Sequence, residues 1–358
     1  MGRRSPDRRL RAAALLLAAV LLAGCSAPGA GTTSADLATR LDAALSERSL
    51  DGFLAAFPAS TDGRGRGTSW YTALSHGDGR FTQADAQLTV TTTFPGDRRP
   101  ASQTITYQLD GGGRVSAVSR TQGTPLWALE ATDLTGTGSG TLLSAGLDEA
   151  ARSVWATRLD HAVTAVGAAD VPGAGGWPHG LVVEVPASPA DFLLLTGSEA
   201  SSASAVTTCE GGTPRIVVSP QTRGLDAGWL DSTLVHEAVH VATDSACVAG
   251  GASLEWAVEG LAESVAARVD ASTASRNRGL VADYLAAHGV PDALPVRLET
   301  LTDYALAQLA VDQVRAHLGG RADDLLDRAV HDAASVGSAE RREITGWYVA
   351  ELRRRSRR

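Results

Sequence analysis

His236-Glu237-Ala238-Val239-His240 sets two histidines four residues apart, with a glutamate directly after the first. On a helix such residues stand one above the other, roughly 5–6 Å between Cβ atoms, so both imidazoles can reach one ion. Glu237 would then project beside the open coordination position. There a carboxylate can take a proton from an activated water and later deliver one to a leaving amine. Zinc, one ion per chain, suits this chemistry because it stays tetrahedral, does no redox and brings the pKa of a bound water to about 7. With eight His and fourteen Glu in 358 residues, random placement produces the pattern on the order of 0.007 times.

A third ligand is available nearby. Glu259 follows His240 by nineteen positions, inside Leu254-Glu255-Trp256-Ala257-Val258-Glu259-Gly260-Leu261-Ala262-Glu263. Asp244 and Glu255 are also close in sequence, but Asp244 lies four residues past His240 on the same helix and would compete for one face. The motif together with Trp256, Glu259, Gly260 and Ala262 resembles the gluzincin metallopeptidases, whose pattern is H-E-x-x-H, a spacer near twenty residues, then W-x-x-E-G-x-A. The resemblance implies His236, His240 and Glu259 as protein ligands with water in the fourth place, and Glu237 as general base. It spans residues 128–340 and is tight across 230–265. It also implies a tyrosine from a later helix that stabilises the oxyanion; Tyr304 is the first candidate and Tyr284 the second. An extended strand near 203–209 or 215–219 would run beside the substrate. Glu263, one turn after Glu259, can accept a hydrogen bond from a ligand imidazole and fix its tautomer; its other reading is an exposed helix carboxylate. A metzincin would place Gly and His where this chain has Thr243 and Ala246.

The elements that must hold these residues follow from periodicity. Leu230, Leu234, Ala238 and Val241 form an apolar stripe beside the histidine face, and helical spacing predicts helices over 231–244, 253–270, 276–288, 301–318 and 321–334. Upstream, 144–166 reads as a helix, and 180–185 and 215–219 read as strands. Before them, residues 35–57 carry leucines at helical spacing, followed by alternating threonine-rich strands at 87–94, 103–109 and 114–120 with PGD and DGGG turns between. GRGRG at 63–67 and GTGSG at 136–140 read as loops. Strands first and helices afterwards argue for an α+β fold rather than a parallel α/β one. The helix-plus-antiparallel-sheet part, 35–125, resembles NTF2-like domains, and 126–345 would be the zincin-like, mostly helical peptidase part.

The ends carry their own signals. Arg3, Arg4, Arg8, Arg9 and Arg11 precede an apolar run from Ala12 to Leu22. That run is too short for a bilayer span, which takes about 20 residues, and reads as an export signal over 1–24. Leu22-Ala23-Gly24-Cys25 resembles the lipobox of bacterial lipoproteins, which implies a diacylglyceryl group on Cys25 and an anchor on the extracytoplasmic face of the cell membrane. Residues 25–34 are small and turn-forming, a tether. Cys209 and Cys247 are then an even pair in an oxidising compartment, either bonded to each other or two buried thiols. From 346 onward the arginine-rich end reads as a basic tail, solvated or in contact with anionic lipid or wall polymer.

Composition narrows the chemistry further. All 32 cations are arginine, and the chain has no lysine. P-loops, kinase ATP sites, pyridoxal Schiff bases and S-x-x-K acyl enzymes are therefore excluded, and no G-x-S-x-G elbow occurs. The formal charge is −8, and between the two basic ends it is more negative still, so neither nucleic acid nor nucleotide is an expected partner. The expected activity is hydrolysis of a peptide or protein substrate. The competing reading is an inactive binding or scaffolding lipoprotein on a peptidase-like fold; the intact Glu237 speaks against it, since a scaffold needs no general base.

Overall fold

The protein is described by a computed structural model over residues 35–199, 203–250 and 252–357. The export segment, the tether and Cys25 lie outside the described residues. In place of one helix over 35–57 there are two, α1 (Ala35–Ser46) and α2 (Leu50–Leu54): Arg48, at φ +53°, turns the chain between them, and Ser49 caps the second by accepting from Gly52 N. Next comes α3 (Thr61–His76), and it contains the GRGRG run expected to be a loop. Two of its three glycines serve close packing: a Cβ on Gly63 would lie 2.4 Å from the Pro58 carbonyl oxygen, and one on Gly67 would lie 2.7 Å from the Leu54 side chain. With Ser60 capping the first turn, tertiary packing overrides the low helix propensity of glycine.

Strands β1 (Arg80–Ala84), β2 (Gln87–Thr92), β3 (Ala101–Leu109) and β4 (Val115–Val118) form an antiparallel meander in chain order. After the short α4 (Leu126–Leu129) come β5 (Asp133–Thr137) and β6 (Gly140–Ser144), joined by a tight turn within GTGSG. They are followed by α5 (Glu149–Gly167), β7 (Leu181–Val185), α6 (Pro189–Thr196), β8 (Ala205–Thr208) and β9 (Arg215–Val218). The rest is helical: α7 (Ala227–Thr243), α8 (Glu255–Val269), α9 (Ala271–His288), α10 (Leu301–Leu318), α11 (Ala322–His331) and α12 (Ser338–Arg355). The architecture is mixed α+β. Through Arg355 the basic C-terminal run continues α12, whose Ile344, Tyr348, Val349 and Leu352 are buried. None of the helices among the described residues is long and apolar enough to cross a membrane.

The second sheet runs β5-β6-β7-β9-β8, with β6, β7 and β9 parallel and both edge strands antiparallel. Strands first and helices later gave no hint of this parallel centre. Its strands are buried along their whole length because both faces are covered. Side chains alternate across the sheet: Leu142, Val183, Ile216 and Val218 join a core with the later helices, while Leu143, Val182 and Val217 join one with the N-terminal helices and sheet. The described residues form one compact unit. A buried ion pair adds to the apolar contact: Arg215 of β9 meets Asp97, just after β2, through Nε–Oδ1 at 2.9 Å and Nη2–Oδ2 at 2.7 Å.

Candidate metal centre

Asp226 starts the helix that matters most. Its carboxylate accepts from Gly228 N and Trp229 N, and α7 then runs for 17 residues with Leu230, Leu234, Ala238 and Val241 buried. His236 and His240 face α8, which brings Glu259 and Glu263 to them. His236 Nε2 lies 3.1 Å from His240 Nε2 and 3.1 Å from Glu259 Oε2, and the third edge, His240 Nε2 to Glu259 Oε2, is 3.3 Å. Donors about 2.0–2.1 Å from a tetrahedral ion stand roughly 3.3–3.4 Å apart. The three residues can therefore hold a metal ion, and they are the one such group found among the described residues.

The outer nitrogens are held as well. Nδ1 of His236 faces Glu263 Oε2 at 3.1 Å, and Nδ1 of His240 faces Ser245 Oγ at 3.2 Å. Glu263 is itself fixed: its Oε1 accepts from Asn277 Nδ2 at 2.6 Å and Arg276 Nη2 at 3.1 Å. A carboxylate on Nδ1 keeps the proton of a neutral ring there and leaves the Nε2 lone pair facing inward. Of the two readings of Glu263, the buried partner of His236 is the one observed.

The same contacts set the charge balance of the cluster. Burial disfavours an imidazolium at His236, but its hydrogen bonds to Glu259 and Glu263 hold its pKa well above the ordinary histidine value. Burial would raise Glu259, yet the two histidines hold it far below the usual carboxylate range. Glu263 is likewise raised by burial and lowered, more strongly, by His236, Asn277 and Arg276, to about 2. The shifts of His236 and Glu259 favour a positive charge between them, and that of Glu263 keeps its carboxylate anionic against Nδ1.

Glu237 is held from β8, where Thr207 Oγ1 donates to its Oε2 at 2.7 Å. It opens onto a cleft of ≈ 430 Å³ lined also by His236, Trp229, Arg276 and Tyr304. Arg276 lies over the Trp229 ring, 4.6 Å from guanidinium carbon to centroid. Tyr304, on α10, meets the His236 ring edge to face with centroids 5.9 Å apart. Burial first, then the surrounding carboxylates of Glu259 and Glu237, push its pKa up, so the hydroxyl keeps its proton. Tyr284 does not line the cleft; its ring packs on His288 at 5.0 Å.

The two competing carboxylates are engaged elsewhere. Asp244 pairs with Arg99 at the end of α7, and Glu255 accepts from Leu298 N. Cys209, just after β8, and Cys247, just after α7, form a disulfide with Cα atoms 5.1 Å apart. Thr207, Ser245, Arg276 and Asn277 complete the site without having been singled out from sequence. Only Ser245 left a usable signal: a hydroxyl in the turn directly after an H-E-x-x-H helix can reach back to the second histidine. Compared with known proteins, the chain matches no family model, no curated protein and no solved structure.

Proposed function

We propose that the chain is a zinc metallopeptidase of gluzincin type, held at the extracytoplasmic face of the cell membrane by a lipid on Cys25 and acting on a peptide or protein. One observation carries the reading: the His236–His240–Glu259 triangle has tetrahedral spacing, and its His236 lines a cleft together with Glu237. Two imidazoles and one carboxylate, with a position left open, are the donor set of catalytic zinc. When bound, zinc supplies a Lewis acid that polarises a peptide carbonyl and acidifies a water.

The chain's own residues do the rest. Glu263 and Ser245 hold the two rings so that both Nε2 atoms turn toward Glu259 Oε2, where they would hold the ion. Thr207 occupies Oε2 of Glu237, which leaves Oε1 to accept the proton of the attacking water and return it to the leaving amine. Tyr304, protonated and beside His236, donates toward the oxygen that becomes negative as the carbonyl is attacked. The finer fold assignment belongs to the same proposal. α1–α3 with the β1–β4 meander suit an NTF2-like part, and the mixed sheet with α7 and α8 suits a zincin-like part.

The test uses a chain starting after Cys25, assayed for metal content and against a peptide library. Glu237→Gln should abolish cleavage and leave about one zinc per chain. Full activity in that variant would overturn the mechanism. Wild-type protein with neither metal nor cleavage would favour the scaffold reading.

A further inference from the structure

The connection between β2 and β3 reaches the far end of the metal helix. Arg98 Nη1 donates to the Ala242 carbonyl at 2.8 Å, satisfying one of the last open carbonyls of α7, and its Nη2 donates to Gly175 O at 2.8 Å. Arg99 grips Asp244 with both terminal nitrogens, Nη1–Oδ2 at 2.7 Å and Nη2–Oδ1 at 3.1 Å, and its Nε donates to Gly212 O in the β8–β9 connection.

Asp244 is the C-cap of α7 and adopts φ +60°. That left-handed conformation is uncommon for a residue other than glycine and needs its surroundings to hold it. The very next residue is Ser245, whose hydroxyl faces Nδ1 of His240. A shift of Asp244 out of the left-handed region would swing the Ser245 hydroxyl away from the ring. The bidentate Arg–carboxylate pair fixes both the position and the orientation of Asp244.

We infer that Arg99 is a positioning residue for the metal ligand His240, acting through Asp244 and Ser245, so that the N-terminal sheet is a working part of the metal centre rather than a spacer. This rests on the reading of His236, His240 and Glu259 as ligands. Groups that orient a ligand histidine typically matter about 10–100-fold for metal affinity.

The experiment is a zinc titration of the chelator-stripped chain, starting after Cys25, against a chromophoric competitor. It compares wild type with R99A, R99K, D244N, S245A and the R99A/S245A pair, with circular dichroism of each. R99A, D244N and S245A should each weaken zinc binding by about tenfold or more. R99K, which keeps the charge but loses the planar fork, should share the defect. Because Arg99 and Ser245 act on the same imidazole, the R99A/S245A pair should bind about as weakly as the worse single variant. Wild-type affinity in R99A and D244N overturns the inference, and so do R99A and S245A losses that simply multiply. Should R99A not fold, D244N decides. A folded wild type that binds no zinc is a different result, and it removes the metal reading itself.

Discussion

Gly260 of α8 lies against Ala307 of α10 so closely that a Cβ on the glycine would stand 2.4 Å from the Ala307 carbonyl oxygen and 2.9 Å from Cγ2 of Val311. Glu259 is its neighbour, so the depth at which α8 settles on α10 sets how far the Glu259 carboxylate reaches toward α7. Gly260→Ala gains helix propensity but forces the backbones apart, and overpacking of this kind costs about 1–3 kcal/mol. We expect a lower urea midpoint together with weaker zinc binding. Gly279 is the internal control: it sits in the middle of α9 with nothing within 4 Å of an added Cβ, and Gly279→Ala should stabilise by roughly 0.5–1 kcal/mol. Equal effects of the two substitutions would rule out the packing explanation.

The disulfide closes a loop of 38 residues that contains all of β9 and α7. Its removal in Cys209→Ser/Cys247→Ser frees the unfolded chain, with a loss of stability of about 4 kcal/mol on the loop-entropy account. Denaturation with and without reductant should therefore separate wild-type curves but superimpose those of the double variant. Wild-type curves unchanged by reductant would mean that the bond contributes nothing.

Much of the centre is legible in the sequence because the chemistry is local. His236 and His240 meet through helical spacing alone, and the 3.6-residue period of Leu230, Leu234, Ala238 and Val241 announces the helix that carries them. Glu259 is legible only through its resemblance to a family motif, since nothing in the eighteen residues between it and His240 dictates that α8 returns to α7. Thr207, Asn277 and Arg99 are not legible at all. Their partners are 30, 14 and 145 residues away, and contacts at such separations leave no periodic trace. The parallel centre of the second sheet is not legible for a related reason: a run such as Leu181–Val185, buried on both faces, reports burial but not the direction of its neighbour.

Tyr304 and Tyr284 are separated by position rather than by type. Tyr304 lines the cleft beside His236, whereas Tyr284 packs on His288 away from it. Under the proposed chemistry, Tyr304→Phe removes a donor needed only as the carbonyl oxygen becomes negative. It should lower kcat by about 10²-fold, leave KM within a few-fold, and leave zinc content unchanged. Tyr284→Phe should change neither constant. Steady-state kinetics on one good peptide substrate decides it, and a Tyr304→Phe enzyme with wild-type kcat would remove the residue from the mechanism.

Asp270 gives a pH dependence whose sign is fixed by geometry. It caps α9, the helix that carries Arg276 and Asn277 to Glu263: Oδ2 accepts from Ser272 Oγ at 2.5 Å and from Thr273 N at 3.0 Å, and Oδ1 accepts from Ser272 N at 3.0 Å. These hydrogen bonds, the Ser272 hydroxyl first, lower its pKa to about 2. In the unfolded chain an aspartate titrates near 3.9, so the native state holds its proton less tightly than the unfolded one. The stabilisation is therefore complete above about pH 5 and lost as the pH falls through the native value of about 2. Asp270→Ala should cost about 1 kcal/mol at neutral pH, the usual worth of such a cap. The gap between wild type and the alanine variant, read as urea midpoints, should narrow steadily from pH 5 toward pH 2. A gap that stays constant over that range would show that the carboxylate's charge plays no part in holding the start of α9.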